Sequence, residues 1–206
     1  MSEMGIQGFA AREDLSEARV EARSPRILPV DAPISENALI PIGHVREIAG
    51  SSSAIALDLA RLEECSSDLD PSVAMSGKVG SQIKIRVGNS WLLASVRTQR
   101  QDTTVPGGIV AQIDFLGEGE EERLTGKIYG FRRGVTRFPV PGAQVYPATS
   151  LDLRQIYASD GRTNISIGTV YPTRDIRAGL YVDALLGKHF ALLGSTGTGK
   201  STAAAL

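Results

Sequence analysis

The sequence predicts a mainly β fold: a small N-terminal β-barrel followed by the start of an α/β phosphate-binding domain. Between Pro41 and Thr149, short runs of alternating apolar and polar residues are separated by Gly, Pro, Asn and Asp, the period-2 rhythm of strands with one buried face. Further on, the apolar run Phe190-Ala191-Leu192-Leu193 opens into Gly194-Ser195-Thr196-Gly197-Thr198-Gly199-Lys200-Ser201-Thr202. There Gly194, Gly199, Lys200 and Ser201 satisfy the pattern G-x-x-x-x-G-K-[ST] in full. Of the 206 residues, 42% are hydrophobic and 22% charged, ordinary values for a globular chain. The formal net charge of −1 gives no global basic field of the kind that advertises nucleic-acid binding.

In chain order, residues 1–38 come first. They carry acidic and basic residues, three prolines (Pro25, Pro29, Pro33) and a single aromatic, Phe9. So little apolar surface cannot offset ordering entropy, and a disordered tail is expected. Residues 39–149 hold six or seven short strands, the count and spacing of a small closed barrel or a sandwich, and are read as the barrel. His44–Ala49 and Ala54–Leu57 are its first strands, and Asp58–Gly80, rich in Ser, Asp and Pro, reads as a loop with at most one helical turn. Ile83, Ile85 and Val87 alternate with Lys84 and Arg86, and Gly88-Asn89 turns the chain into a second strand, Ser90–Gln99. Ile109–Phe115 alternates again, Glu118–Glu122 reads as an acidic exposed turn, and Lys127–Phe138 and Gln144–Tyr146 complete the set. A closed barrel of this kind has no exposed strand edges and is expected to fold alone as Pro41–Thr149.

Residues 150–206 form the linker helix and the beginning of the phosphate-binding domain. Ser150 as N-cap, Asp152 in the first turn, Leu153, Ile156 and Tyr157 on one face and Gly161 beyond define the helix. Ile165–Val170 follows as a strand, residues 171–179 as a turn region, and Tyr181–His189 leads to the strand Phe190–Leu193 before the loop.

The loop's chemistry follows from what a polyphosphate needs: converging donors, positive charge and a backbone free to curl around the anion. Gly194, Gly197 and Gly199 let main-chain N–H groups approach without Cβ interference, and a helix starting near Lys200 aims its N-terminal donors at the phosphates. Lys200 is the candidate catalytic residue, reaching the β- and γ-phosphates. Ser201 is the expected Mg²⁺ ligand, Thr202 touches the α-phosphate, and Ser195, Thr196 and Thr198 supply the rest of the nucleotide cradle. Hydrolysis also needs a metal-binding acid on a neighbouring strand, a residue that orients water, and an arginine. No such residues follow Leu206, so the sequence reads as the front end of a longer ATPase, inactive by itself.

The order of barrel, short helix, Ile-x-Ile-Gly-Thr-Val strand (Ile165–Val170) and Val182-Asp183-Ala184-Leu185-Leu186-Gly187-Lys188-His189 running into the loop resembles the HerA-type ATPases. Ser76–Gly88 and Phe131–Gly142 look like that family's barrel as well. The resemblance implies a barrel of the kind shared with rotary ATP synthases, a RecA-like core, ATP and Mg²⁺ as cofactors, and a hexameric ring. It further implies translocation of duplex DNA with a nuclease partner. The alternatives are a non-catalytic barrel for subunit or partner contact with an incomplete nucleotide site, and a rotary ATP synthase-like subunit. Against the second, the Gly-Ser-Thr-Gly-Thr-Gly-Lys-Ser loop is more similar to the HerA type.

The remaining features carry less. Cys65 is the only cysteine, so no internal disulfide forms, and with only His44 and His189 no zinc spacing exists. No signal-type segment or span of about 20 apolar residues is present, which points to the cytoplasm. Arg133 and Arg137 are expected on one face of a strand with Arg132 on the other, as solvated side chains; Trp91 is expected as a core or interface anchor and His189 as a packing residue.

Overall fold

The computed structural model describes residues 34–50, 52–104, 107–121, 128–157, 163–188, 191, 193–198 and 201. The predicted tail lies outside them up to residue 33. From Ile34 on, the chain packs against the barrel core, with Glu36–Leu39 forming a 3-10 turn capped by Ser35 and Ala38 buried.

The barrel strands are β1 (Gly43–Ala49), β2 (Ser52–Asp58), β3 (Gln82–Val87), β4 (Ser90–Gln101), β5 (Gly108–Glu121), β6 (Ile128–Arg133) and β7 (Gln144–Pro147). Their order is β2-β1-β7-β3-β4-β5-β6, and an additional β2–β5 pairing closes the first six into a barrel, all neighbours antiparallel. Alternation explains the interior. Val45, Ile55, Leu57, Ile83, Ile85, Leu92, Ala94, Val96, Ala111, Ile113 and Val145 all point inward and form one buried cluster.

Strand β5 pairs with β4 along one edge and divides its other edge between two partners. Its first half pairs with β2 to close the barrel, while Gly117–Glu121 turns away to pair with β6. Glycine permits that approach: a Cβ on Gly117 would lie 2.1 Å from the Arg132 carbonyl oxygen, and one on Gly119 would lie 2.5 Å from Ile128 Cγ2. The predicted acidic turn is therefore strand as far as Glu121, with Glu122 outside the described residues. Glu118 is buried and accepts bonds from the Thr136 backbone N–H (3.0 Å) and hydroxyl (2.7 Å).

The Asp58–Gly80 stretch holds two helices, α1 (Leu59–Ser66) and α2 (Pro71–Ala74), more than the single turn expected. Each starts on an aspartate cap. Asp58 accepts from Ala60 N–H (2.9 Å), and Asp70 accepts from Ser72 N–H (2.8 Å) with Pro71 in the first turn.

Helix α3 (Ser150–Tyr157) forms as predicted, with its cap one residue earlier. Thr149 Oγ1 accepts from Asp152 N–H (3.0 Å) and Thr149 N–H donates to Asp152 Oδ2 (2.9 Å), a reciprocal capping box. After it, β8 (Asn164–Thr169) and β9 (Arg177–Tyr181) pair as an antiparallel hairpin, and α4 (Val182–Leu186) ends at Gly187. The run Tyr181–His189 that leads toward the loop is helical over 182–186, and His189 lies outside the described residues. Nor do Ala191 and Leu193, the described part of the predicted strand Phe190–Leu193, belong to a strand.

Candidate nucleotide-binding loop and its attachment to the barrel

Within the loop, Gly194, Ser195, Thr196, Gly197 and Thr198 are described and exposed, as is Ser201, which is helical; Gly199, Lys200 and Thr202 lie outside the described residues. A local turn shapes the visible part. The Thr198 backbone N–H (3.4 Å) and hydroxyl (2.8 Å) both donate to the Ser195 carbonyl. Gly197, inside this turn, has φ +86° and open space where a Cβ would stand. A positive φ here is strained for any L side chain, so glycine is required by the backbone. Leu193, just before the loop, is 92% exposed.

What precedes the loop is tied to the barrel by a second apolar cluster on the barrel's outer wall. Leu93, Ala148, Leu153, Val170 and Ile176 are its buried members, with Leu116, Phe131, Ile156, Tyr157 and Ala178 packed around them. Because Leu92 points into the barrel and Leu93 out of it, β4 is the shared wall of both clusters.

Polar contacts pin α3 to the same wall. Lys84 Nζ lies 2.8 Å from Asp152 Oδ2, the two side chains 8% and 4% exposed. Ser150 donates from its backbone N–H (2.8 Å) and hydroxyl (2.5 Å) to Asp70, and its hydroxyl lies 3.0 Å from that of Ser72. Farther along, Arg154 bonds to Asp175 in the turn of the β8–β9 hairpin. Sequence reasoning missed this set, since Lys84 reads as the polar alternate of a strand and its partner sits 68 residues away.

Trp91 is an anchor, as expected. Its ring meets Tyr146 edge-on (centroids 5.4 Å, 86°), and Lys84 Nζ and the Arg86 guanidinium stand 4.9 and 5.4 Å from its centroid. Arg132 and Arg133 end β6, with Arg132 77% exposed and 3.9 Å from Glu118; Arg137 lies past the strand, so it shares no strand face with Arg133. Cys65 is buried inside α1, not in a loop, and burial pushes its thiol pKa up. The bonds from Thr136 hold Glu118's carboxyl below its usual range. Among the described residues no group of His, Cys, Asp and Glu could hold a metal ion, and no helix is long and apolar enough to cross a membrane.

Fold and site together define a closed β-barrel joined through a docked helix and hairpin to a segment that carries the G-x-x-x-x-G-K-[ST] pattern. Residues 165–206 match the family model described as the central domain of helicase HerA. A search of curated proteins finds the DNA double-strand break repair helicase HerA of Pyrococcus furiosus, 38% identical over 122 residues, or 57% of this chain. The match spans about a fifth (21%) of that relative's length. Over these stretches the chain is similar in sequence to HerA helicases.

Proposed function

We propose that this chain supplies the barrel and the phosphate-binding loop of a HerA-like ATPase that works on DNA. The observation that carries the reading is the complete loop Gly194–Thr202 inside a segment similar to the helicase HerA central domain. The visible geometry fits a polyphosphate. The Ser195–Thr198 turn leaves Gly197 with open space at the position of a Cβ, and Ser201 stands at a helical position directly after Lys200. Gly194, Ser195, Thr196, Gly197, Thr198 and Gly199 would wrap the phosphates with backbone N–H groups, Thr202 would touch the α-phosphate, and Ser201 would hold Mg²⁺. Lys200 would place its charge at the β- and γ-phosphates. ATP supplies the free energy when bound with its metal; this chain's residues bind and orient it.

By the same reading the assembled protein is a hexameric ring in the cytoplasm that moves along duplex DNA, with a nuclease partner. The supporting fact is the printed name of the Pyrococcus relative, a double-strand break repair helicase. The test is Lys200→Ala in the complete ATPase: nucleotide affinity falls and hydrolysis drops by about a hundredfold or more, because the lost charge acts most fully in the transition state. Turnover within twofold of wild type refutes the assignment. Ser201→Ala acts through the metal, so added Mg²⁺ partly restores it.

A further inference from the structure

The sheet face that fills the barrel continues beyond it. Leu92 belongs to the interior cluster, and across the strands it pairs with Glu118 and then Arg132; one row further out, Ser90 pairs with Glu120 and then Tyr129. Directly opposite residues share a face, so these two rows carry the interior face past the point where β2 leaves β5. The chain after β6 then folds back over it. Val135 packs on the interior cluster, Phe138 meets Phe115 edge-on with centroids 5.8 Å apart, and Thr136 is bonded to Glu118. Between the two rows and this returning chain lies a depression of about 350 Å³, at the small end of ligand-pocket size, with Gly119 and Gly130 in its wall.

The polar groups around the depression are unevenly used. Both acids are taken: Glu118 is buried and accepts from Thr136 on each of its oxygens, and Glu120 accepts from the Tyr129 hydroxyl at 2.8 Å. The donors are not. Arg132 is 77% exposed and reaches Glu118 only at 3.9 Å, too long for a hydrogen bond, while Arg137 and the Ser90 hydroxyl, which also line the depression, have no partner among the described residues. Arg133, beside Arg132, likewise pairs with no acid among the described residues. What the site can still take is an anion.

Two aromatic rings narrow the class of anion. Tyr129 and Phe138 flank the arginines in sequence and are 51% and 47% exposed, so each offers part of a flat apolar face beside unsatisfied guanidinium groups. A carboxylate-bearing protein surface matches the charge but brings no flat faces. A nucleic-acid strand brings both, and its bases are free to stack only when they are unpaired.

We propose that this lip of the barrel, formed by β5, β6 and the chain through Phe138, holds a single DNA strand, with phosphates on Arg132, Arg137 and the Ser90 hydroxyl and bases against Tyr129 and Phe138. The inference rests on the reading of the chain as part of an ATPase that works on DNA, and adds to it a strand-binding site on the barrel, apart from the phosphate loop.

The experiment is fluorescence anisotropy of an end-labelled oligothymidylate of about twelve nucleotides titrated with the 206-residue chain, at salt concentrations from about 50 to 200 mM. Arg132→Gln and Arg137→Gln should each weaken binding by about fivefold at low salt and lower the slope of log affinity against log salt by about 0.7, the share of one phosphate contact on a single strand. Tyr129→Phe, which keeps the ring, should bind within about twofold of wild type, and Tyr129→Ala should lose about fivefold or more. Arg97→Gln, an equally accessible arginine on β4 outside the depression, should leave affinity unchanged and controls for general charge. The substituted side chains are exposed, and circular dichroism confirms that each variant folds. Wild-type affinity in both arginine variants overturns the proposal, as does an equal loss in Arg97→Gln. So does a blunt duplex of the same length that binds as tightly as the single strand, or polyglutamate that competes as well as unlabelled oligothymidylate, which would make the lip a protein-docking surface. Each of these failures leaves the phosphate-loop reading intact, since that reading falls only with the Lys200→Ala result in the complete ATPase.

Discussion

Neutralising one partner of the Lys84–Asp152 pair should unsettle the whole junction between barrel and α3. Both charges are more than nine-tenths buried, 2.8 Å apart. In Lys84→Met the apolar stem is kept and the ammonium lost, leaving a carboxylate whose other bond comes from Thr149 N–H at 2.9 Å. In Asp152→Asn the amide oxygen replaces the acceptor Oδ2, so the Lys84 ammonium loses its counter-charge but keeps a neutral hydrogen bond and the Trp91 face at 4.9 Å, a contact worth up to about 2 kcal/mol when desolvated. Stranding a buried charge costs about 3–5 kcal/mol, so each single variant, left with neutral contacts that compensate in part, should lose about 3 kcal/mol. The double variant buries two neutral groups and should lose no more than about 2 kcal/mol, because the pair's own desolvation cost goes with it. Urea denaturation measures this directly, with the chain's only tryptophan, Trp91, reporting from beside the pair and circular dichroism reporting the barrel. Additive losses, a double variant down by about 6 kcal/mol, would refute the claim that the two charges compensate each other.

Three further outcomes follow from single sites. Glu118's carboxyl is held below its usual range by the Thr136 hydroxyl and N–H, so its contribution is complete above the unfolded pKa, near 4.3, and fades as pH falls through the folded value. The stability gap between wild type and Glu118→Gln should therefore be constant near neutrality and shrink on acidification; a gap that widens in acid contradicts this sign. Gly43→Ala should destabilise by about 2–3 kcal/mol in thermal melts, since the new Cβ would stand 2.0 Å from the Ala56 carbonyl oxygen on the paired strand; a neutral substitution would mean that the β1–β2 approach is looser than it looks. Cys65, fully buried with its thiol pKa raised, should react with a thiol reagent only at the rate of unfolding, and rapid native-state labelling would show α1 opening by itself.

The barrel was legible because its signal is local. Ile83, Ile85, Val87 and their alternates state a strand within a few residues, and Gly88-Asn89 states the turn. Errors arose where a residue's partner is distant in sequence. Nothing near Glu118 announces that Gly117 and Gly119 will admit β6, so five clustered acidic and glycine positions looked like a solvated turn. Asp58 and Asp70 did carry a helix-start signal, a capping residue before Leu-Ala and before Pro, that the surrounding Ser and Asp content obscured. At the phosphate loop the motif is complete in sequence, while the polar residues that tie α3 and the hairpin to the barrel gave no pattern at all. Lys84 and Asp152 are unremarkable singly and acquire meaning only when the fold buries them together.

The chemistry of that junction also bears on where an independently folding barrel ends. The alternation of strands suggests a unit closing at Thr149, since β7 ends at Pro147 and the barrel is complete there. A chain cut at Thr149, however, would keep Lys84 in its apolar setting against Trp91 while removing Asp152, its buried counter-charge, and would remove Ser150 from the two bonds it gives Asp70. It would also bare Leu93, which faces outward onto Leu153 and its neighbours. Apolar faces tolerate sliding, but paired charges and buried hydrogen bonds fix one register, so α3 is held to the barrel more rigidly than the hairpin beyond it. A barrel ending at Tyr157 should therefore melt well above one ending at Thr149, by about 10 °C if the stranded ammonium costs about 3 kcal/mol. Equal melting temperatures would show that α3 merely rests on the barrel and that the unit does close with its last strand.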